Sequence, residues 1–305
     1  MEVIKARVES EELEKLRILN ARMCLSVKER NYYLWQEKGF KGELMFDSLL
    51  SKLNNNFLCL NDLLFEYKNT LFQIDTTLIA ENTVYRYEVK NNEGDYKYID
   101  GRWYTLAGGE VKDPIVQLER SDPLYRQLLK DIGCNLPLKS FLVYVNPHYH
   151  LYHAPLNYSI YFPGQIQRLI DSLEDVPSNL TEKHTDIAKK LASLHINKNP
   201  FPRQLEYQYK KLKKGMNCVS CGEFIDSTGV DREKLVCHIC GVEEGVTEAV
   251  LRNIEEISLL FPDMKITTNI VFDWCQLLSK KVIRRVLSKN FRLEGFGKSS
   301  NYVKK

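Results

Sequence analysis

Two cysteine pairs, Cys218-x2-Cys221 and Cys237-x2-Cys240, stand fifteen residues apart, and nothing else in this 305-residue chain limits its folding as tightly. Each C-x2-C makes a tight knuckle, and two knuckles at this spacing aim four thiolates at one tetrahedral Zn²⁺. Gly222 and Gly241 directly follow the second cysteine of each pair, where a knuckle favours free backbone geometry. A redox pair or an iron–sulfur cluster is the alternative use of such thiols. Four protein ligands leave no position for a substrate, so the expected zinc is structural: it stabilises a segment, about 216–245, too short to bury a core of its own. His238, inside the second knuckle, is redundant as a ligand. Cys24, Cys59, Cys134 and Cys275 stand in apolar surroundings and are expected as small core residues.

The chain has no run of eighteen apolar residues, so no transmembrane helix is expected. Its first sixteen residues, MEVIKARVESEELEKL, have no apolar region of a secretory signal. The cytoplasm is therefore the expected compartment, where cysteines serve as thiols or metal ligands rather than in disulfides.

Periodicity gives an α/β chain of mixed α+β type. Residues 10–36 read as a helix, with Leu13, Leu16 and Leu19 at spacing three, and 40–53 as a second. Three strand-like runs follow: 57–60 continuing toward Phe65, 71–79, and 83–90, the last closed by a polar turn at 91–94. A helix over 116–132 is entered from Pro114 and ended by Gly133. The apolar run 140–145 is a buried strand. The order is α-β-β-β-α-β. Helical patterns resume over 164–194, broken at Pro177, and a Pro-rich stretch, 197–203, leads into a basic neck at Lys210, Lys211, Lys213 and Lys214.

The second strand carries Gln73-Ile74-Asp75 and the third Glu88-Val89-Lys90. Side chains alternate along a strand, so Glu88 and Lys90 share a face. If the strands are neighbours, Asp75 sits beside Glu88, and two carboxylates so placed bind a hard divalent cation such as Mg²⁺. The metal acidifies a water and stabilises phosphoryl charge, and a lysine two residues on can orient that water or offset transition-state charge. This is the minimal apparatus for phosphodiester hydrolysis. Spacing alone leaves a solvated, charged sheet face as the alternative.

The wider pattern narrows it. Gly42-Glu43, Gln73-Ile74-Asp75, Glu88-Val89-Lys90-Asn91, Gly94, Trp103, and Asp113-Pro114 followed by Gln117 together resemble the nuclease-related domain, NERD. That family is similar to the PD-(D/E)xK nucleases with their restriction-endonuclease-like core, and the resemblance covers about residues 37–150. It implies that Asp75 and Glu88 hold Mg²⁺ (or Mn²⁺), that Lys90 is the motif lysine, and that Glu43 is a further acid near the metal. It also implies that Gln117 projects from the later helix toward the same site. Asp113 departs from the family, which more often has Asn there.

The C-terminus carries the chain's charge asymmetry. Residues 280–305 hold nine basic side chains against the single acid Glu294, on a chain of net charge +3. Thr267 begins a helix over 268–278, and Ser279 caps another over 280–289 whose polar face carries Lys280, Lys281, Arg284, Arg285 and Lys289. Arg292 and Lys298 fall in a hairpin-like, Gly-containing tail. The pattern resembles a winged helix-turn-helix, which would place the basic helix in the major groove with most of its charges on phosphates. A solvated basic helix packed on the protein is the alternative.

Five segments follow: an N-terminal helical extension (1–36), the nuclease-like domain (37–165), a helical linker with basic neck (166–215), the zinc ribbon or knuckle (216–245), and the basic winged-helix-like region (246–305). The expected function is a Mg²⁺-dependent nuclease brought to duplex DNA by its C-terminal half, with RNA open as a substrate and a homodimer favoured by two cuts in a duplex. The rival is a non-catalytic DNA-binding regulator that uses the nuclease-like domain as a scaffold. The cluster Pro147-His148-Tyr149-His150-Leu151-Tyr152-His153 reads as a surface loop, and Trp103 as a packing anchor. No GxxxxGK[ST] sequence is present, so nothing points to nucleotide triphosphate use.

Overall fold

In the computed structural model, residues 1–156, 158–231, 233–297 and 300–305 are described; Lys298, one of the expected DNA contacts, lies outside them. The chain begins with strand β1 (Glu2–Lys5), helix α1 (Glu11–Arg22) and helix α2 (Val27–Leu50). The expected single helix over 10–36 is thus two, and no new helix starts at Phe40. Ser26 explains the break. Its N–H and hydroxyl donate to Glu29 Oε2, at 2.9 and 2.6 Å, and the Glu29 N–H donates back to Ser26 Oγ. This capping box starts a helix rather than continuing one. Cys24 falls in the break and is exposed, not a core residue. Nor is the N-terminus wholly a helical extension: β1 runs parallel to the next strand, Glu2 opposite Leu58, and covers a sheet edge that would otherwise leave its backbone groups unpaired.

The chain divides into two units, Met1–Glu9 with Leu34–Phe201, and Ser10–Tyr33 with Pro202–Lys305. The first is built on β2 (Leu58–Tyr67), β3 (Thr70–Ile79) and β4 (Val84–Lys90), an antiparallel meander. Three short strands follow, β5 (Gly94–Ile99), β6 (Arg102–Thr105) and β7 (Glu110–Val111), and then helix α3 (Pro114–Asp131). Asp113 caps α3 by accepting the Ile115 N–H, with Pro114 in the first turn where its missing N–H costs nothing. Strand β8 (Leu138–Tyr144) lies parallel to β4, and β9 (Tyr149–Tyr152), β10 (Ile160–Tyr161), α4 (Ile166–Glu174) and α5 (Glu182–Leu194) complete the unit.

The main sheet has the order β1-β2-β3-β4-β8-β10, and a second sheet the order β7-β6-β5-β9. On one face of the main sheet Leu60, Phe65 and Ile74 meet Tyr125 and Leu129 of α3 and Ala188 and Leu191 of α5. On the other, Tyr87 and Val143 meet Phe46 and Leu50 of α2 and Leu169 and Leu173 of α4. Helices α4 and α5 are therefore parts of this unit's two cores, not a linker. The histidine segment is not a loop either, since Tyr149 and Leu151 on β9 are buried around Trp103. Their alternation with exposed His150 and Tyr152 is that of a half-buried strand.

In the second unit, β11 (Lys234–Val236) and β12 (Glu243–Gly245) form a two-stranded ladder beside the cysteines. Helices α6 (Val246–Leu260), α7 (Thr268–Cys275) and α8 (Lys280–Asn290) follow, then the antiparallel strands β13 (Phe291–Glu294) and β14 (Asn301–Lys304). Thr267 and Ser279 cap α7 and α8 through their side chains. Gln276, at φ +55°, ends α7 in the left-handed conformation. One core joins Leu19 of α1, Cys218 and Cys237, Ile254 and Ile257 of α6, Trp274 of α7 and Ile283 of α8. At its centre Arg22, 1% exposed, pairs with Glu256 at 2.5 Å and lies over the Trp274 ring at 4.2 Å.

Candidate active site and metal centre

The β3–β4 ladder runs from Ile79↔Val84 to Thr76↔Tyr87 and stops one position short of Asp75 opposite Glu88. Opening a ladder strands backbone groups that must find other partners. The Val89 N–H donates to Asp75 Oδ2 at 2.8 Å, and the Asp75 carbonyl accepts from Arg7 Nη2 at 2.9 Å. The fork thus turns the Asp75 carboxylate toward β4, beside Glu88. Both acids are buried, Asp75 at 7% and Glu88 at 1% exposed.

Glu88 is gripped from both sides. Lys90 Nζ donates to its Oε1 at 2.7 Å, and Arg86 Nη2 lies 3.4 Å from its Oε2. All three side chains come from alternate positions of β4, as the strand period requires. Lys90 also donates to Gln117 Oε1 at 3.1 Å, so the helix α3 glutamine reaches the site. Arg86, fully buried, is tied to α3 through Asp122 (2.6 Å) and Ser121 (2.7 Å).

Glu43 is placed differently from the other four expected residues. It lies on α2 and accepts from Arg7 Nη1 at 2.6 Å, while Arg7 Nε reaches Asp47 at 2.8 Å. Glu43, Asp75 and Glu88 do not close into a trio of ligand distance: among the described residues only the four cysteines do. Gly42 permits the approach of α2. A Cβ there would stand 2.4 Å from Asn91 Cβ at the end of β4, and Asn91 clamps the helix by donating to the Lys38 carbonyl.

The electrostatics follow from this crowding. Burial raises Asp75 well above the usual carboxylate range, Glu88 and Glu43 add to the rise, and Lys90 and the Val89 N–H oppose it. Glu43 is pushed up to about 7, chiefly by burial, against the pull of Arg7. For Lys90, burial works downward, but Glu88 and Asp75 outweigh it, and its pKa ends above the ordinary value. Lys90 is therefore a fixed cation and no general base at neutral pH. As ligands the acids fit a hard divalent cation: they offer buried carboxylate oxygens, and their mutual repulsion is what such an ion relieves.

The sequence reasoning passed over Arg7, Arg86, Ser121 and Asp122. Arg86 was within reach, because R-x-E-x-K puts three charges on one face of a strand. Arg7 gives no local signal, since its partners lie from 36 to 69 positions away.

In the second unit, all four Sγ atoms of Cys218, Cys221, Cys237 and Cys240 lie within 4.8 Å of one another, with Cys218–Cys240 at 3.6 Å and Cys221–Cys237 at 3.5 Å. A zinc tetrahedron with Zn–S of about 2.3 Å has edges of about 3.8 Å, so the cluster has the size such an ion needs. The knuckles match: Gly222 N–H donates to the Cys218 carbonyl and Gly241 N–H to the Cys237 carbonyl, with φ of +75° and +72°. Lys280, Lys281, Arg284, Arg285 and Lys289 are all exposed on α8, as is Arg292 on β13, where it pairs with Glu294.

The forked ladder, its acid pair and its lysine all fall within one matched region. Residues 38–145 match the family model of the nuclease-related domain, NERD. The match reaches from within α2 to the end of β8 and leaves out Arg7 and all four clustered cysteines. No curated protein and no solved structure matches the chain. Among the described residues no helix is long and apolar enough to cross a membrane.

Proposed function

We propose that the first unit is a Mg²⁺- or Mn²⁺-dependent nuclease of the PD-(D/E)xK kind acting on DNA. The observation that carries this is the forked ladder, which brings buried Asp75 and Glu88 together with Lys90 and Gln117 inside the NERD match. The order α2-β2-β3-β4-α3-β8, with β5–β7 inserted before α3, supports the same reading.

Asp75 and Glu88 would hold the metal. Bound there, a divalent ion makes its water acidic and offsets charge on a phosphoryl oxygen. Lys90, protonated, orients the attacking water and offsets negative charge developing at phosphorus. Gln117 fixes the Lys90 ammonium, Arg86 fixes Glu88, and Arg7 holds the Asp75 backbone and Glu43 behind the site. The second unit would deliver the chain to duplex DNA. Its four thiolates would bind a structural zinc, and α7, the turn 276–279 and α8 would act as a helix-turn-helix with β13–β14 as wing. Lys280, Lys281, Arg284, Arg285 and Lys289, with Arg292, would meet phosphates. Cytoplasmic location and a homodimer belong to the same reading.

One observation favours the rival, a non-catalytic DNA-binding protein: both Glu88 oxygens already face cations. Plasmid nicking separates the two. Zinc-loaded protein freed of Mg²⁺ should nick supercoiled DNA on addition of Mg²⁺ or Mn²⁺, and Asp75→Ala should abolish nicking while leaving DNA binding intact. Absence of nicking by folded, zinc-loaded wild type on supercoiled, branched and single-stranded DNA would decide for the rival.

A further inference from the structure

Beside Lys90 and Gln117 the first unit has a cleft of about 250 Å³. Its aromatic side is made by Tyr96 of β5, Trp103 of β6, Tyr144 of β8 and Tyr149 of β9. The wall is stiff: Tyr144 and Tyr149 stack at 3.8 Å and 2°, and Tyr96 lies 5.3 Å from Tyr149. Exposed Asn92 and Lys112 form part of its polar side. Two buried polar atoms in this wall, Trp103 Nε1 and Tyr149 Oη, have no hydrogen-bond partner among the described residues; Trp103 is 1% exposed.

We infer that this cleft takes the base of a single unpaired DNA nucleotide whose phosphate lies at the Asp75–Glu88–Lys90 site. The inference rests on the nuclease reading for the phosphate and on the cleft for the base. Four features fit. Lys90 and Gln117 belong both to the acid site and to the cleft, so a base and its own backbone phosphate can occupy the two together. The volume lies below the roughly 300–1,000 Å³ of pockets for drug-sized ligands, which suits one base. Tyr96, the partly exposed ring of the wall, provides stacking that every base can use. The amides of Asn92 and Gln117 both donate and accept, so they can answer the edge of any base. A base inside a duplex cannot reach such a cleft without leaving its stack. The inserted sheet β7-β6-β5-β9 would therefore make the enzyme cut next to a bulge, a flap or a single-stranded stretch rather than within regular duplex.

Stacking can be read without cleavage. Full-length, zinc-loaded Asp75→Asn protein would be mixed with a DNA duplex carrying 2-aminopurine either in a one-nucleotide bulge or in a normal pair. The expected result is several-fold quenching at the bulge and little change at the paired position. Asn92→Trp, at an exposed position, should fill the cleft and remove the quench while DNA binding, followed by anisotropy, persists. Tyr96→Leu should weaken the quench. Equal quenching at both positions, or an unchanged quench in Asn92→Trp, would overturn the assignment.

Cleavage gives the second arm. With Mn²⁺ the wild type should cut beside the unpaired base about tenfold faster than within the paired duplex, and replacing that base by an abasic site should remove most of the advantage. Equal cutting of all three substrates would overturn the cleft assignment and leave the nuclease reading standing. A bulge-specific quench, blocked by Asn92→Trp, in a protein that cuts no DNA would support the cleft and overturn the nuclease reading.

Discussion

Around Asp75 and Glu88 the chain places Lys90 and Arg86, with Arg7 behind them on Glu43 and on the Asp75 carbonyl. Around the four thiols it places main-chain donors, such as Ser220 N–H on Cys218 Sγ at 3.4 Å. Both sites gather ligands that repel one another when ionised. In the first, built-in cations and a six-stranded sheet hold the ligands in place. In the second, a two-stranded ladder and two knuckles do so. On the proposed reading the acid site would keep its shape without a metal, and a metal bound there would add chemistry. In the thiol site Cys221 and Cys240 are exposed and stand outside the unit's core, so a metal bound there would add structure.

The largest effect should come from the thiol site. Cys237→Ser removes a ligand from a site of the type whose zinc binding is worth about 10–16 kcal/mol in small zinc-finger peptides. Cys237 is also 3% exposed within the core of the second unit. We expect loss of bound zinc and loss of hydrogen-exchange protection from 216 through α6, with β2–β4 protected as before. Protection retained in that region without zinc would break the contrast.

Next comes Arg86→Met. Arg86 and Glu88 are buried, and Arg86 also holds Asp122. Taking away one partner of a buried ion pair costs about 3–5 kcal/mol. Thermal unfolding of the first unit should move down accordingly, in zinc-loaded protein, and added Mg²⁺ or Mn²⁺ should recover part of it by pairing with Glu88.

The acid site also has a pH signature. Glu43 rises from 4.5 to about 7 on folding, so the folded state holds more protons across that window. Stability is then fully present below 4.5 and is lost as pH rises through about 7, by up to about 3 kcal/mol. The raised Asp75 acts with the same sign. Protein without Mg²⁺ or Mn²⁺ should therefore melt lower at pH 7.5 than at pH 5, and Glu43→Gln should flatten that dependence. A melting temperature that rises over this range in wild type would contradict the buried acid cluster.

How much of this was legible depended on how local each signal is. The cysteine spacing and the glycine after each knuckle are contained in 24 consecutive positions, 218–241, and the matched knuckle geometry follows directly. The pairing of Glu88 with Lys90 needed only strand alternation. Arg7 was not legible, because a residue five positions beyond Glu2 meets Asp47 and Asp75 only after β1 has paired with β2. The second sheet was hidden for a different reason. Its strands are short and bounded by Gly94, Asp100-Gly101 and Gly108-Gly109, and only the packing of Trp103 with Tyr144 and Tyr149 reveals them as a wall.

The smallest effects lie on α8, and they show whether its charges act or are only solvated. Ile283, Val286 and Leu287 hold the helix in the core, while Arg284 and Arg285 are exposed. Arg284→Ala should leave the melting temperature nearly unchanged, as surface substitutions do. If Arg284 contacts a phosphate, the same change should reduce the slope of log affinity for duplex DNA against log salt by about 0.9. Arg292 differs because it already pairs with Glu294 at 2.5 Å. That carboxylate neutralises its guanidinium, so with the pair closed Arg292→Ala should change the slope less, and Glu294→Ala should steepen it. An unchanged slope for Arg284→Ala would return α8 to a solvated helix, and equal losses for Arg284 and Arg292 would mean that the Glu294 pair opens when DNA binds.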